Sequence, residues 1–391
     1  MQLKYGFRSK FCKKETNINS SIEELKKQEM RISKLIKYCF SFLTLLLLSS
    51  CSSKQSNANM IVPESPKNHI AYFTSEKITI DGKGEENAWK EALWSDSFID
   101  IEGEKIPKFK TQFKMLWDDE NLYFYSKMED PHIWGNLKQR DTIIYYNNDF
   151  EIFIDPNGDT HNYMEVEINA LNTLWDLFLT KPYRNNATVL NQWDIKGFQS
   201  SVYVSGTLND ASDIDEYWAV EIAIPWDSLL EEKGRKTPIL GQTWRFNFSR
   251  VQWNFDLIDD SYYRKKDAKG DFLRENNWVW SPHGVVNMHE PEKWGFIHFA
   301  KKVSGTYQPK FQYPDDSSLI LWMYSQYRNQ LDLTNDSSKS KSIFPVKGSI
   351  ESQVVILEKI KYPNGYLLKA KSPKTNIVYY INEEGKLITE L

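Results

Sequence analysis

The sequence predicts an all-β chain folded as an antiparallel β-sandwich. Three observations predict it: short segments alternate apolar and polar residues with the two-residue period of a strand, turn residues punctuate them at short intervals, and runs of helical period are few before residue 300. The 391 residues bury a substantial core. Fourteen tryptophans and 21 tyrosines supply large rings both for a β-rich interior and for ligand contact. A net charge of −4 speaks against nucleic acid as a partner.

The N-terminal stretch sets the expected compartment. Arg31, Lys34 and Lys37 form a basic segment, Tyr38 to Leu48 an apolar one too short to span a bilayer, and Leu48-Ser49-Ser50-Cys51 follows directly. This pattern is that of a secretion signal, and it resembles the bacterial lipoprotein signal, in which the cysteine becomes the lipidated N-terminus. The resemblance implies lipidation of Cys51 and an anchor in the cell envelope, on the outer membrane or the periplasmic face; an ordinary signal peptide or short anchor is the alternative. Met30 is then the expected start, with residues 1–29 a mispredicted extension or a cytoplasmic tail, 30–50 the signal and 51–68 a Ser-, Asn-, Lys- and Pro-rich tether. Cleavage before Cys51 removes Cys12 and Cys39. The mature domain then lacks a free thiol, which excludes thiol nucleophiles, thiolate zinc sites and disulfides together.

The folded part is expected from His69. Lys77 to Ile80 reads as a short strand, and Asp81-Gly82 turns into a helical segment, Gly84 to Leu93, with Trp89 and Leu93 one turn apart. Phe109, Thr111, Phe113, Met115 and Trp117 alternate with polar residues; Asp118 to Asn121 makes a hairpin turn, and Leu122 to Met128 returns. The acids of that turn read as solvated turn chemistry. Later strands are Tyr217 to Ile224, Trp244 to Gln252, Asn277 to Ser281 and Trp294 to Phe299. In the second of these, Arg245, Asn247 and Ser249 form a polar row while Arg250 falls on the apolar side, where it either snorkels out or takes a partner such as Glu165 or Glu167. Residues 301–391 read as an accessory extension: a helix capped by Asp315 and Asp316 with a Leu319, Trp322, Met323 and Tyr327 stripe, a polar linker from Asn335 to Ser342, and a small β-meander.

One stretch organises the rest, Asn147 to Thr180. Phe150, Ile152 and Ile154 share one side of a first strand, and Met164, Val166 and Ile168 one side of a second. The other side of the second carries Tyr163, Glu165, Glu167 and Asn169. That row is either solvent-facing surface or a polar recognition surface held rigid by the apolar face behind it.

The segments DGKGEENAW (81–89), MLWDDENLYFYSKMEDP (115–131), NDFEIFIDPNGD (148–159), EVEINA (165–170), WAVEIAIPW (218–226), WRFNFSRVQW (244–253) and a closing WGFIHF, in that order, resemble the family 9 carbohydrate-binding modules, over residues 69–300. The resemblance implies a DOMON-like antiparallel β-sandwich with few short helices, extended here by the C-terminal helix and meander. It also implies a carbohydrate ligand held between tryptophans, with Asn, Arg and acidic side chains on its hydroxyls, in concert with glycan-degrading enzymes. Indole stacks on the C–H face of a pyranose, and planar polar groups reach two hydroxyls at once. Carried over by position, the implied contacts are Asn148, Glu165, Glu167, Asn169 and Arg250, with Trp134 and Trp294 as rings that either stack or fill core, and Trp175 or Trp280 as alternatives for the second ring.

Family members carry structural calcium, and no other cofactor is implied. Asp155, Asn157 and Asp159 have the alternating oxygen spacing of such a site, yet Val166 stands where the twelfth-position acid of a helix-loop-helix site belongs, so the segment also reads as a hairpin turn. The histidines never form a tight metal spacing, and nothing in the sequence separates a haem-ligating methionine from core methionine. An enzyme is the rival reading: Glu165 and Glu167 face the same way, about 7 Å apart, within the range of an inverting glycosidase, but both would lie on one side of a sugar. An envelope interaction protein is the third.

Overall fold

The computed structural model describes residues 65–229, 240–301, 311–335 and 344–390. The expected start at Met30, the signal segment, Cys51 and nearly all of the tether lie outside them, as does most of the 335–342 linker. The chain is docked from Pro66 and Lys67 onward, where Phe296 N–H donates to Lys67 O at 2.8 Å and the Tyr313 hydroxyl to Pro66 O at 2.8 Å.

In chain order the strands are β1 (Asn68–Phe73), β2 (Ile99–Asp100), β3 (Thr111–Trp117), β4 (Asn121–Glu129), β5 (Asp149–Asp155), β6 (Tyr163–Asn169), β7 (Leu174–Leu179), β8 (Val189–Leu190), β9 (Gln199–Ser205) and β10 (Tyr217–Pro225). They continue as β11 (Thr243–Gln252), β12 (Phe255–Ile258), β13 (Ser261–Arg264), β14 (Asn276–Val279) and β15 (Gly295–Ala300), then the meander β16 (Val346–Ile350), β17 (Gln353–Tyr362), β18 (Gly365–Lys371), β19 (Val378–Asn382) and β20 (Leu387–Glu390). The helices are α1 (Asn87–Glu91), α2 (Trp226–Leu229) and α3 (Ser317–Asn335).

One hydrogen-bonded path, β8-β7-β6-β5-β11-β15-β1-β3-β4-β10-β9, curls into the two layers of a β-sandwich, with β14 and β2 carried on β11. The layers meet through their apolar rows. Phe150, Ile152, Ile154, Phe246 and Phe248 from one side pack against Phe113, Met115, Phe124, Trp218 and Ile222 from the other, and Phe113 stacks on Phe248 with centroids 3.8 Å apart. Pairing is antiparallel except at the seam, where β1 runs parallel to both β15 and β3.

Two local readings change. Lys77 to Ile80 forms no strand, because its edge is spent on side chains: Thr79 N–H donates to Glu86 at 2.9 Å. Asp316 does not cap α3 with its carboxylate; that group instead accepts from Ser372 Oγ at 2.5 Å and from Tyr379 at 3.0 Å, tying the helix to the meander.

The extension packs against the sandwich. Leu319, Trp322, Met323 and Tyr327 are buried as their helical spacing predicts, and Arg328 makes a forked pair with Glu292, at 2.7 and 3.0 Å, the geometry a guanidinium favours. The β19–β20 turn reaches the β5–β6 hairpin, where Thr160 Oγ1 donates to Gly385 O at 2.8 Å, and it holds the loop after β7, where Asn185 Nδ2 donates to Glu384 O at 2.7 Å.

Truncating a ring in the shared core leaves a cavity that its neighbours fill only in part, so Phe150→Ala is expected to lower unfolding free energy by about 3 to 5 kcal/mol, read by chemical denaturation. A loss within about 0.5 kcal/mol, the range of ordinary surface substitutions, would place Phe150 outside the core.

Candidate functional site

The site follows from the second face of the same strands. Alternation that sends Phe150, Ile152 and Ile154 inward sends Asp149, Glu151 and Phe153 to the opposite face, where register sets Glu151 beside Glu167 on β6 and Ser249 on β11. Glu167 in turn lies beside Trp175, and Glu165 beside Leu177, on β7. Loops close over this face and leave a cavity of about 650 Å³, within the range of small-ligand sites. Its walls include Glu151, Glu165, Glu167 and Glu275, the rings of Tyr145, Trp175 and Tyr183, and the amides of Asn191, Asn277 and Asn287.

The polar row therefore faces neither open solvent nor the core. Tyr163, Glu165, Glu167 and Asn169 are 0, 5, 2 and 0 % exposed, because the 144–147 turn, the 181–185 loop and the 280–294 segment fold across them. Glu167 Oε2 accepts from Tyr145 N at 3.0 Å and so fixes one aromatic wall. Burial, with repulsion from Glu151 second, lifts Glu165 and Glu167 well above the ordinary carboxyl range. Glu151 is pushed up to about 7, chiefly by burial.

Of the residues expected to meet a ligand, Glu165, Glu167 and Trp175 come together in this cavity. The others do not. Asn169 holds the chain turn beyond β6, donating to Leu137 O at 2.9 Å and accepting from Leu171 N and Thr173 N at 3.0 Å each. Asn148 accepts from Trp253 N at 2.9 Å. Arg250 takes neither Glu165 nor Glu167 as partner, since it points to the other face; it is fully buried and pairs with Asp130 at 3.1 Å and with Gln252 at 2.7 Å. Trp280 packs on Phe113 and Phe248, Trp294 on Phe153 and Tyr163, and Trp134 lies parallel to Tyr262, all with rings at most 3 % exposed. Each occupies packing space that a sugar would need.

The Asp155-Asn157-Asp159 segment is the β5–β6 turn, with Gly158 at φ +69°. Its oxygens are spent on its own backbone: Asp155 accepts from Gly158 N and Thr160 N at 2.9 Å each, Asn157 from Asp159 N at 3.1 Å, and Asp159 from His161 N at 2.8 Å. Lys386 Nζ, 3.4 Å from Asp159 Oδ2, already brings positive charge to the turn, so the segment fits a closed hairpin better than a calcium loop.

Tyr145, Glu151, Tyr183 and Glu275 complete the cavity beyond the residues expected from the sequence. Glu151 carried a usable signal, since it alternates with Phe150 and Ile152 on the strand already assigned. The rest arrive from loops.

A model for the Carbohydrate family 9 binding domain-like family matches residues 80–301, and the chain belongs to that family. No curated protein matches the chain. Among solved structures, a family 9 carbohydrate-binding module from Caldicellulosiruptor kristjanssonii in complex with cellotriose is similar, with 18 % identity and a TM-score of 0.40 over 63 % of this chain and 100 % of that one. The same organism's family 9 module in complex with glucose gives 18 % and 0.39 over 62 % and 100 %.

Bonded to the cavity-lining Asn287, His283 has a defined tautomer: Nδ1 donates to Asn287 O at 2.6 Å while Nε2 accepts from Asn247 Nδ2 at 2.9 Å. Burial lowers its pKa from 6.5 to about 4. The folded state thus refuses a proton that the unfolded chain accepts, so the contribution is present above pH 6.5 and is lost as pH falls through about 4. Ring nitrogen shifts measured by NMR are expected to show neutral His283 at pH 5, and a midpoint near 6.5 would contradict the buried, bonded ring.

Proposed function

We propose that this protein binds carbohydrate without cleaving it, as an envelope-anchored module that captures glycan for degrading enzymes. The observation that carries the reading is the meeting, in one cavity, of Glu151, Glu165 and Glu167 with the half-buried ring of Trp175 and the rings of Tyr145 and Tyr183. Carboxyl groups accept from sugar hydroxyls and the aromatic walls meet its C–H faces. The Trp175 Nε1 proton is buried and has no acceptor among the described residues. Family membership supports the same class of ligand.

The arrangement favours binding over hydrolysis. Glu151, Glu165 and Glu167 all rise from neighbouring strands of one sheet face, so they approach a sugar from the same side, whereas glycosidic cleavage needs carboxyls across the bond. The anchor rests on the Leu48 to Cys51 pattern alone. Cys51→Ala is expected to abolish uptake of labelled fatty acid, and labelling that persists would exclude the lipid.

Cellotriose titrated into the purified protein is the direct test. Removing a well-placed hydrogen-bonding or stacking group costs roughly 1 to 3 kcal/mol, so Trp175→Ala and Glu165→Ala are expected to weaken binding about ten-fold to a hundred-fold. Trp134→Phe, away from the cavity, should bind as wild type. Normal affinity in both cavity variants, each folded by thermal melt, would place the ligand elsewhere.

A further inference from the structure

The floor of the cavity holds a second feature that sugar binding does not account for. Asp149, Glu151 and Glu167, from β5 and β6, are at most 5 % exposed, and one carboxylate oxygen from each lies within 4.8 Å of the other two. The arginines around them are committed elsewhere: Arg250 to Asp130, Arg245 to Trp294 O, Arg140 to Asp176 and Asp194, and Arg184 to Val286 O. A buried carboxylate without a counter-charge is costly, and three together compound the cost.

A second observation points to a ligand. Asp149 is fully buried, its Oδ1 accepts from Val251 N at 3.2 Å, and its Oδ2 has no hydrogen-bond partner among the described residues. Such an atom on a native-like strand calls for an explanation, and an ion is one that also answers the missing charge. A donor set made only of carboxylate oxygens suits a hard divalent cation such as calcium or magnesium.

We propose that Asp149, Glu151 and Glu167 bind a hard divalent cation, for which calcium is the probe, at the floor of the cavity, and that its open positions take sugar hydroxyls. Three protein carboxylates leave at least three of the six to eight oxygen positions calcium uses. Glu151 and Glu167 line the cavity while Asp149 lies behind them, so those positions face the ligand space. The ion also neutralises the floor against which a neutral, hydroxyl-rich ligand must pack. This second part rests on the carbohydrate reading; the cation site itself does not.

The test strips the purified protein with a chelator and titrates calcium chloride by calorimetry, with a thermal melt at each concentration and a separate cellotriose titration with and without calcium. Expected are one saturable calcium site, a melting temperature that rises with calcium as linkage requires, loss of at least ten-fold in calcium affinity in Asp149→Asn and in Glu167→Gln, and cellotriose affinity at least ten-fold weaker in chelator. Metal-free Glu167→Gln should melt no lower than metal-free wild type, because the amide matches the glutamic acid in shape, keeps an oxygen for Tyr145 N and adds no charge to the crowded floor; this keeps a folding failure from passing as lost binding. Absence of saturable calcium uptake by wild type, or unchanged uptake in both variants, overturns the cation site. Calcium uptake with cellotriose affinity the same in chelator overturns the bridging role. Calcium uptake with no cellotriose binding under either condition leaves the cation site standing and removes the carbohydrate reading instead.

Discussion

The structure depends on the register that joins β5 to β6 and β11. Side chains on a strand alternate faces, so a slip of one residue would exchange every group between core and cavity. Phe150, Ile152 and Ile154 would meet loops and water, and Asp149 and Glu151 would enter the aromatic core. The energy that prevents this comes from the core side, where Phe113, Phe124, Phe246 and Phe248 close around Phe150 and Ile152. The acids opposite are held against their own preference for water. A face that gains nothing from its own burial and is fixed by the face behind it has the character of a functional surface.

The loops and the C-terminal extension turn that face into a cavity. Asn247 anchors the 280–294 segment by accepting from Ser281 N at 3.0 Å and donating to Ser281 O at 2.9 Å, and Arg245 binds Trp294 O at 2.7 Å. The polar row of β11 is therefore structural, a clamp for one wall. Another wall, the 181–185 loop, is held from outside: Lys181 pairs with Glu384 at 2.6 Å and Asn185 bonds the same turn. Because Tyr183 and Arg184 line the cavity between those two anchors, the extension bears on the shape of the site although none of its described residues is among those lining it.

The fold was largely legible in the sequence, since the strands that build both layers carry strong alternation and clear turns. Strands of weaker pattern were not: β9 has a run of small and polar residues at its start, and β1 is short and pairs parallel at the seam. The site was legible in part. Alternation places Glu165 and Glu167 on one face, yet it does not say what covers that face, so plain surface and recognition surface both fit the row. Tryptophans misled for a related reason. Trp280 and Trp294 sit in motifs shared with sugar-binding domains, and only tertiary packing reveals that Phe248 and Tyr163 occupy their faces. Tyr145, Tyr183 and Glu275 lie in loops, where no periodicity points a side chain.

The central claim, that the cavity over β5, β6 and β7 is the ligand site, is tested most directly by following tryptophan indole N–H signals in an NMR titration with cellotriose. The account predicts that the Trp175 signal moves most, since its ring lines the cavity, while those of Trp134, Trp280 and Trp294, which do not, stay nearly fixed. Large shifts at Trp134, Trp280 or Trp294 with Trp175 unmoved would contradict it.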